Sequence, residues 1–154
     1  MSVIEKSIEV RCPVQTVYNQ WTQFEDFPAF MEGVREVRQI DDTHLHWHAE
    51  IAGADREWES EIIEQLPDQR IAWRAVSGPE NDGVVQFDRV GPDRTRVTLR
   101  MSYDPEGFIE NAGDFLGVVE RRVEGDMERF RKFVEERGET GAWRGTVRGG
   151  ERRQ

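Results

Sequence analysis

The sequence predicts an α+β domain: a curved, seven-stranded antiparallel sheet wrapped on a long C-terminal helix, with a short helical segment after strand 1. Three observations predict it. Apolar residues alternate at period two in residues 3 to 11 and again between Val34 and Tyr103, the signature of half-buried strands. They recur at three- and four-residue steps from Phe115 to Val134, the signature of one helix face. The connections between the strands are too short for crossover helices, so neighbours pair as antiparallel hairpins.

The first strand places Ile4, Ile8 and Val10 on one face and Glu5, Ser7 and Glu9 on the other, and Pro13 ends it. Val14, Val17, Tyr18, Trp21 and Phe24 then form the apolar stripe of a short helix, followed by an aromatic corner at Phe27, Pro28 and Phe30. Six strands follow, separated by turn signals at Asp41-Asp42, Gly53-Ala54, Pro67-Asp68, Gly78-Pro79 through Asp82-Gly83, and Gly91-Pro92-Asp93. After Asp104-Pro105 comes the long helix, with Phe115, Val119, Val123, Met127, Phe130 and Val134 along one face. Gly113, Gly117 and Gly125 lie in or beside it, where a bend or a close approach would use them. Residues 1–137 form the expected domain, and residues 138–154 read as a flexible Gly/Arg-rich tail without periodicity.

Composition narrows the partners. A formal charge of −10 opposes binding to a phosphate backbone, so no nucleic acid partner is expected. The opening residues lack the apolar core of a signal peptide, and no apolar run is long enough to span a bilayer. A cytoplasmic protein without stable membrane insertion is the expectation. Cys12 is the single cysteine and reads as a small buried residue with no disulfide or metal role. Apolar residues are only 36% of the chain, but five Trp and eight Phe supply large area from few positions.

The order of elements, together with the stretches IEVRCPVQTVYNQWTQFEDFPAFMEGV, REWESEIIEQLPDQRIAWR and GDMERFRKFVEERG, resembles the helix-grip fold of the START-like (SRPBCC) superfamily, in particular its polyketide cyclase/dehydrase and coenzyme-Q-binding-like family. The resemblance spans residues 3 to 137. It implies a pocket between sheet and helix for a sterol, lipid, polyketide, quinone or hormone, and leaves the occupant open.

A strongly bent sheet and one helix cannot touch everywhere, so the gap between their apolar faces is the expected ligand site. Strand parity points Trp47, Ala49, Trp58, Ser60, Trp73 and Phe87 into it, and the helix stripe adds Phe115, Val119, Val123 and Met127. No cofactor is expected. His44, His46 and His48 share one strand face at about 7 Å spacing, and with Glu50 they form the one metal-like pattern. The opposite face of that strand is the apolar one, so the imidazoles are expected to face solvent and no metal is assigned. Glu57, Glu59 and Glu61 read as a solvated row, with Arg74 pairing to one of them across strands.

Signatures of an activated nucleophile or a phosphate loop are absent. The resemblance implies that an aromatase/cyclase carries a pocket arginine and tyrosine. Aligned through Trp58-Glu59, those positions fall near Glu64 and near Gly33 or Val34, so catalytic residues are unassigned; Tyr18, Arg56 and Tyr103 receive no role. The leading expectation is binding of a small hydrophobic molecule of lipid, quinone or polyketide type. The alternatives are a polyketide cyclase/dehydrase, and a stress- or ribosome-associated interaction module whose tail, with Trp143 beside Arg144, docks on a protein partner.

Overall fold

A computed structural model of the chain describes residues 2–51, 53–77, 81–103, 115–138 and 145–153. In chain order the elements are β1 (Ser2–Val10), α1 (Val14–Trp21), a 3-10 turn η1 (Phe24–Ala29), β2 (Val34–Gln39), β3 (His44–Ile51), β4 (Ala54–Leu66), β5 (Arg70–Ser77), β6 (Asn81–Gly91), β7 (Arg94–Tyr103), α2 (Phe115–Arg137), β8 (Thr146–Arg148) and β9 (Glu151–Arg153). Pro13 stands immediately before α1, and its carbonyl accepts the N–H of Val17 at 3.1 Å. A proline has no N–H to lose there, so a strand ends and a helix begins at one residue.

The seven strands β1 to β7 form the expected curved antiparallel half-barrel, in the order β1-β7-β6-β5-β4-β3-β2. Consecutive strands from β2 onward are hairpin neighbours. β1 instead pairs with β7, from Ser2↔Tyr103 to Val10↔Thr95, because α1 and η1 carry the chain away to the far edge before β2 starts. Helix α2 packs along β1 inside the curve and buries Val123, Met127, Phe130 and Val134. Lys6 of β1 fastens it from the side, its Nζ 2.8 Å from Glu120 and 2.6 Å from Glu124. At the other end α1 and η1 close the sheet with Trp21, Phe24, Phe27 and Phe30, all buried.

Two expectations are corrected. Asp82-Gly83 is not part of a turn, since β6 already runs from Asn81. Gly83 serves close approach: a Cβ there would sit 2.5 Å from Cζ2 of Trp73, so the missing side chain makes room for the indole.

The second correction concerns the tail, whose described part, residues 145–153, contains a hairpin joined to the sheet. β4 is 13 residues long and β3 only 8, so the end of β4 beyond the His44↔Glu61 pair would leave a row of backbone groups without partners. β8 takes that edge through Glu64↔Arg148 and Gln65↔Val147, Gly150 donates its N–H to the Ile63 carbonyl at 3.0 Å, and Val147 is fully buried. Val147→Ala is expected to lower the urea midpoint at unchanged slope, by the worth of two methyl-sized groups, about 1.6 kcal/mol. An unchanged midpoint would mean that the hairpin is free of the sheet in solution.

The turn at Gly78-Pro79, the boundary at Asp104-Pro105, Gly113 and Trp143 lie outside the described residues, as does the side chain of Phe115. Among the described residues no helix is long and apolar enough to cross a membrane.

Candidate ligand cavity

The space inside the grip is built from rings. Trp47 on β3 and Trp58 on β4 are directly opposed in the register, so their indoles stack at 5.7 Å with planes 5° apart. Phe27 tilts onto Trp47 at 5.6 Å, and Trp21 meets Phe27 and Phe130 edge-on at 5.5 and 4.9 Å. Together with Trp73, Leu99, Met101, Val123 and Met127, these rings enclose a cavity of about 160 Å³.

A second space of about 130 Å³ opens beside it, lined by Val34, Ala49, Tyr103, Val119 and Arg122 among others. Trp47, Trp58, Asn81, Met101, Val123 and Asp126 line both, so the two are neighbours across one layer of side chains. An apolar cavity of about 150 Å³ is large enough to stay dry and accept a benzene-sized ring.

Among the described residues few polar groups reach this space. Trp47 Nε1 donates to Ser60 Oγ at 3.0 Å and Trp73 Nε1 to Asn81 Oδ1 at 3.5 Å, so both indole N–H groups have a partner within the protein. Burial pushes the Tyr103 phenol up, with a smaller contribution from Glu120.

Among the described residues, Asp126 is the one carboxylate lining both spaces. Its Oδ1 accepts the Glu32 N–H at 2.9 Å and also a hydrogen bond from Arg129. One helical turn away, Arg122 donates to the carbonyls of Glu32 at 2.7 Å and Glu50 at 2.9 Å, and Arg129 donates to that of Phe30 at 2.9 Å. Positions 122, 126 and 129 share one face of α2 and tie the Phe30–Gly33 turn to the helix, which keeps Phe30 and Met31 in the cavity wall. Gly33 makes the turn with φ +78°, and any Cβ there would fall 1.7 Å from the Arg122 guanidinium.

Burial pushes the Asp126 carboxyl up from its ordinary range, against the lowering pull of the Glu32 N–H, Arg129 and Arg122. A value raised by folding means that the folded state binds more protons between the two values. The stability this gives is present below the unfolded value and lost as pH rises through the folded one. Asp126→Asn keeps an acceptor for Glu32 and Arg129, so it is expected to gain stability relative to the wild type as pH rises from the ordinary carboxylate value, about 3.9, through the raised folded one. Urea midpoints of both proteins across that range check this, and a constant difference would contradict it.

The residues expected in the pocket fall into four groups. Trp47, Trp58, Ser60, Trp73, Val123 and Met127 line the larger cavity, and Ala49 and Val119 line the smaller with Trp47, Trp58 and Val123. Phe87 lines neither: α1 covers its end of the sheet, where it meets Tyr18 at 5.3 Å and Trp21 at 6.3 Å in solid core. The side chain of Phe115 is outside the described residues.

Sequence reasoning passed over Asp126, Asn81, Leu99, Met101 and the lining role of the aromatic corner. A signal for Asp126 existed, since it stands three residues after Val123 and four before Phe130, an acid on the edge of an apolar stripe.

The outer face of the sheet carries the histidine row. His44 Nδ1 lies 2.9 Å from Asp41, His46 Nε2 3.1 Å from Glu57 and His48 Nε2 3.7 Å from Asp55, each imidazole beside a different carboxylate. Among the described residues no group of three or more His, Cys, Asp or Glu is placed to hold a metal ion. Arg74 pairs with Glu61 at 2.8 Å, the cross-strand partner expected of it.

Comparison with known proteins connects this geometry to a family. The sequence model of the polyketide cyclase / dehydrase and lipid transport family matches residues 10–132. The chain belongs to that family. This family member is 53% identical over 149 residues to an uncharacterised 17.2 kDa protein of Streptomyces lincolnensis, covering 96% of this chain and 99% of that one. Its fold matches the Zhui aromatase/cyclase of a Streptomyces species with a TM-score of 0.75 at 18% identity, over 90% of this chain and 99% of that one. A START superfamily protein of Mycobacterium smegmatis gives a TM-score of 0.69 at 15% identity, over 88% and 95%. At these identities the two structures establish the helix-grip, START-like fold.

Proposed function

We propose that this family member binds a small, ring-containing hydrophobic molecule of lipid, quinone or polyketide type between sheet and α2, and carries or sequesters it in the cytoplasm. The observation that supports this most is the cavity walled by the stacked Trp47–Trp58 pair, whose polar neighbours among the described residues are few and each hold a hydrogen bond within the protein. A solid core would close such a space, because leaving it empty costs dispersion contacts that packing would otherwise supply. Trp47, Ala49, Trp58, Ser60, Trp73, Val119, Val123 and Met127 are the contact residues of this reading.

Native mass spectrometry of the purified protein, followed by solvent extraction, tests it. A bound species of defined mass, recovered as an apolar compound, is the expected result. A protein that is empty as purified, and that binds no apolar ring compound below about 100 µM, a range still worth more than 5 kcal/mol, would overturn it.

A second reading, a polyketide cyclase or dehydrase, is favoured by the Asp126 carboxyl, a half-buried acid whose pKa burial pushes up, in the wall of an apolar cavity. It requires an altered product distribution when the protein is added to a minimal polyketide synthase, with the effect reduced in Asp126→Asn.

A further inference from the structure

The cavity is apolar in almost every direction, and the exceptions differ in what they have left to offer. Ser60 Oγ accepts the Trp47 indole N–H. Asn81 uses Oδ1 for Trp73 at 3.5 Å, while its Nδ2 has no partner among the described residues. Asp126 places both of its protein hydrogen bonds on Oδ1, while Oδ2 has none among the described residues. Both side chains line both spaces. The Asp126 side chain is 18% exposed, and its open oxygen can be reached and gains from a donor.

We propose that Asn81 and Asp126 form the polar subsite of the cavity, in which Asn81 Nδ2 donates to, and Asp126 Oδ2 accepts from, a single hydroxyl carried on a flat aromatic occupant. One hydroxyl oxygen can accept and donate at once, so a phenol or enol satisfies both groups, whereas an ether or a bare carbonyl can accept from Asn81 but leaves Asp126 without a donor. The Trp47–Trp58 wall supplies the matching flat apolar surface. The subsite rests on the cavity being the ligand site.

The test uses two probes of one skeleton, naphthalene and β-naphthol, titrated into the full chain by NMR. The wild type is expected to bind β-naphthol about tenfold more tightly, the scale of one net hydrogen bond. Asn81→Leu removes the donor. Asp126→Asn keeps Oδ1 for Glu32 and Arg129 but turns an N–H₂ towards the ligand. Each variant is expected to reduce the preference while naphthalene affinity is retained, Asp126→Asn the more because Asn81→Leu leaves Oδ2 to accept the hydroxyl proton, and either one decides the matter if the other fails to fold.

Equal binding of the two probes by the wild type, or a preference that survives both substitutions, would overturn the subsite and leave the cavity reading standing. Failure of the wild type to bind either probe would overturn both.

Discussion

Phe130→Ala is expected to lower the free energy of unfolding by about 3–5 kcal/mol, the cost of emptying a fully buried aromatic site. Phe130 is 1% exposed and holds two parts of the molecule on one ring, with Trp21 edge-on at 4.9 Å and Phe30 at 5.2 Å. Its loss therefore removes the ring contacts that α2 makes through this residue with both α1 and the aromatic corner. Cavity space already lies beside it, so the neighbours have little reason to collapse inward and the upper end of the range applies. Urea unfolding gives the number directly, and a cost below about 1 kcal/mol would mean that this contact is not made in solution.

Val123→Phe is expected to weaken binding of an apolar ring compound more than tenfold while leaving the fold in place. Val123 is the α2 residue at the centre of the site, lining both spaces and only 9% exposed. A larger side chain there grows into empty volume instead of packed core, so the stability penalty should stay at or below the usual overpacking cost of about 1–3 kcal/mol. Parallel measurement of affinity and urea midpoint separates the two effects. A variant that keeps full affinity would move the binding site away from this cavity.

Architecture could be read from the chain because it is written in periodicity. The switch from period two to three-and-four at Val14, and again at Phe115, locates the helices, and parity along β3 and β4 turns Trp47, Ala49, Trp58 and Ser60 inward. Parity says which face a side chain takes and nothing about what stands opposite. That is why Phe87 was expected in the pocket, when α1 lies over its end of the sheet.

The tail was misread for a related reason. Thr146–Arg148 is too short to show a period, and what orders it is the surplus length of β4, a property of a distant segment. Gly83 illustrates the same limit: a glycine that clears space for an indole across a strand pair looks, in sequence, like a turn. Asp126 was concealed by its type, since acids on a charged helix read as solvated until the backbone of Glu32 is seen against it.

On the proposed function, the space between the stacked tryptophans and α2 takes a ligand. The most direct measurement is an NMR titration of the full chain with naphthalene, following the assigned indole N–H resonances. Saturable shifts are expected at Trp47, Trp58 and Trp73, with Val123 and Met127 methyl signals moving in step, since all five line the cavity. Shifts that stay linear to the solubility limit, or that saturate only at residues remote from these five, would contradict it.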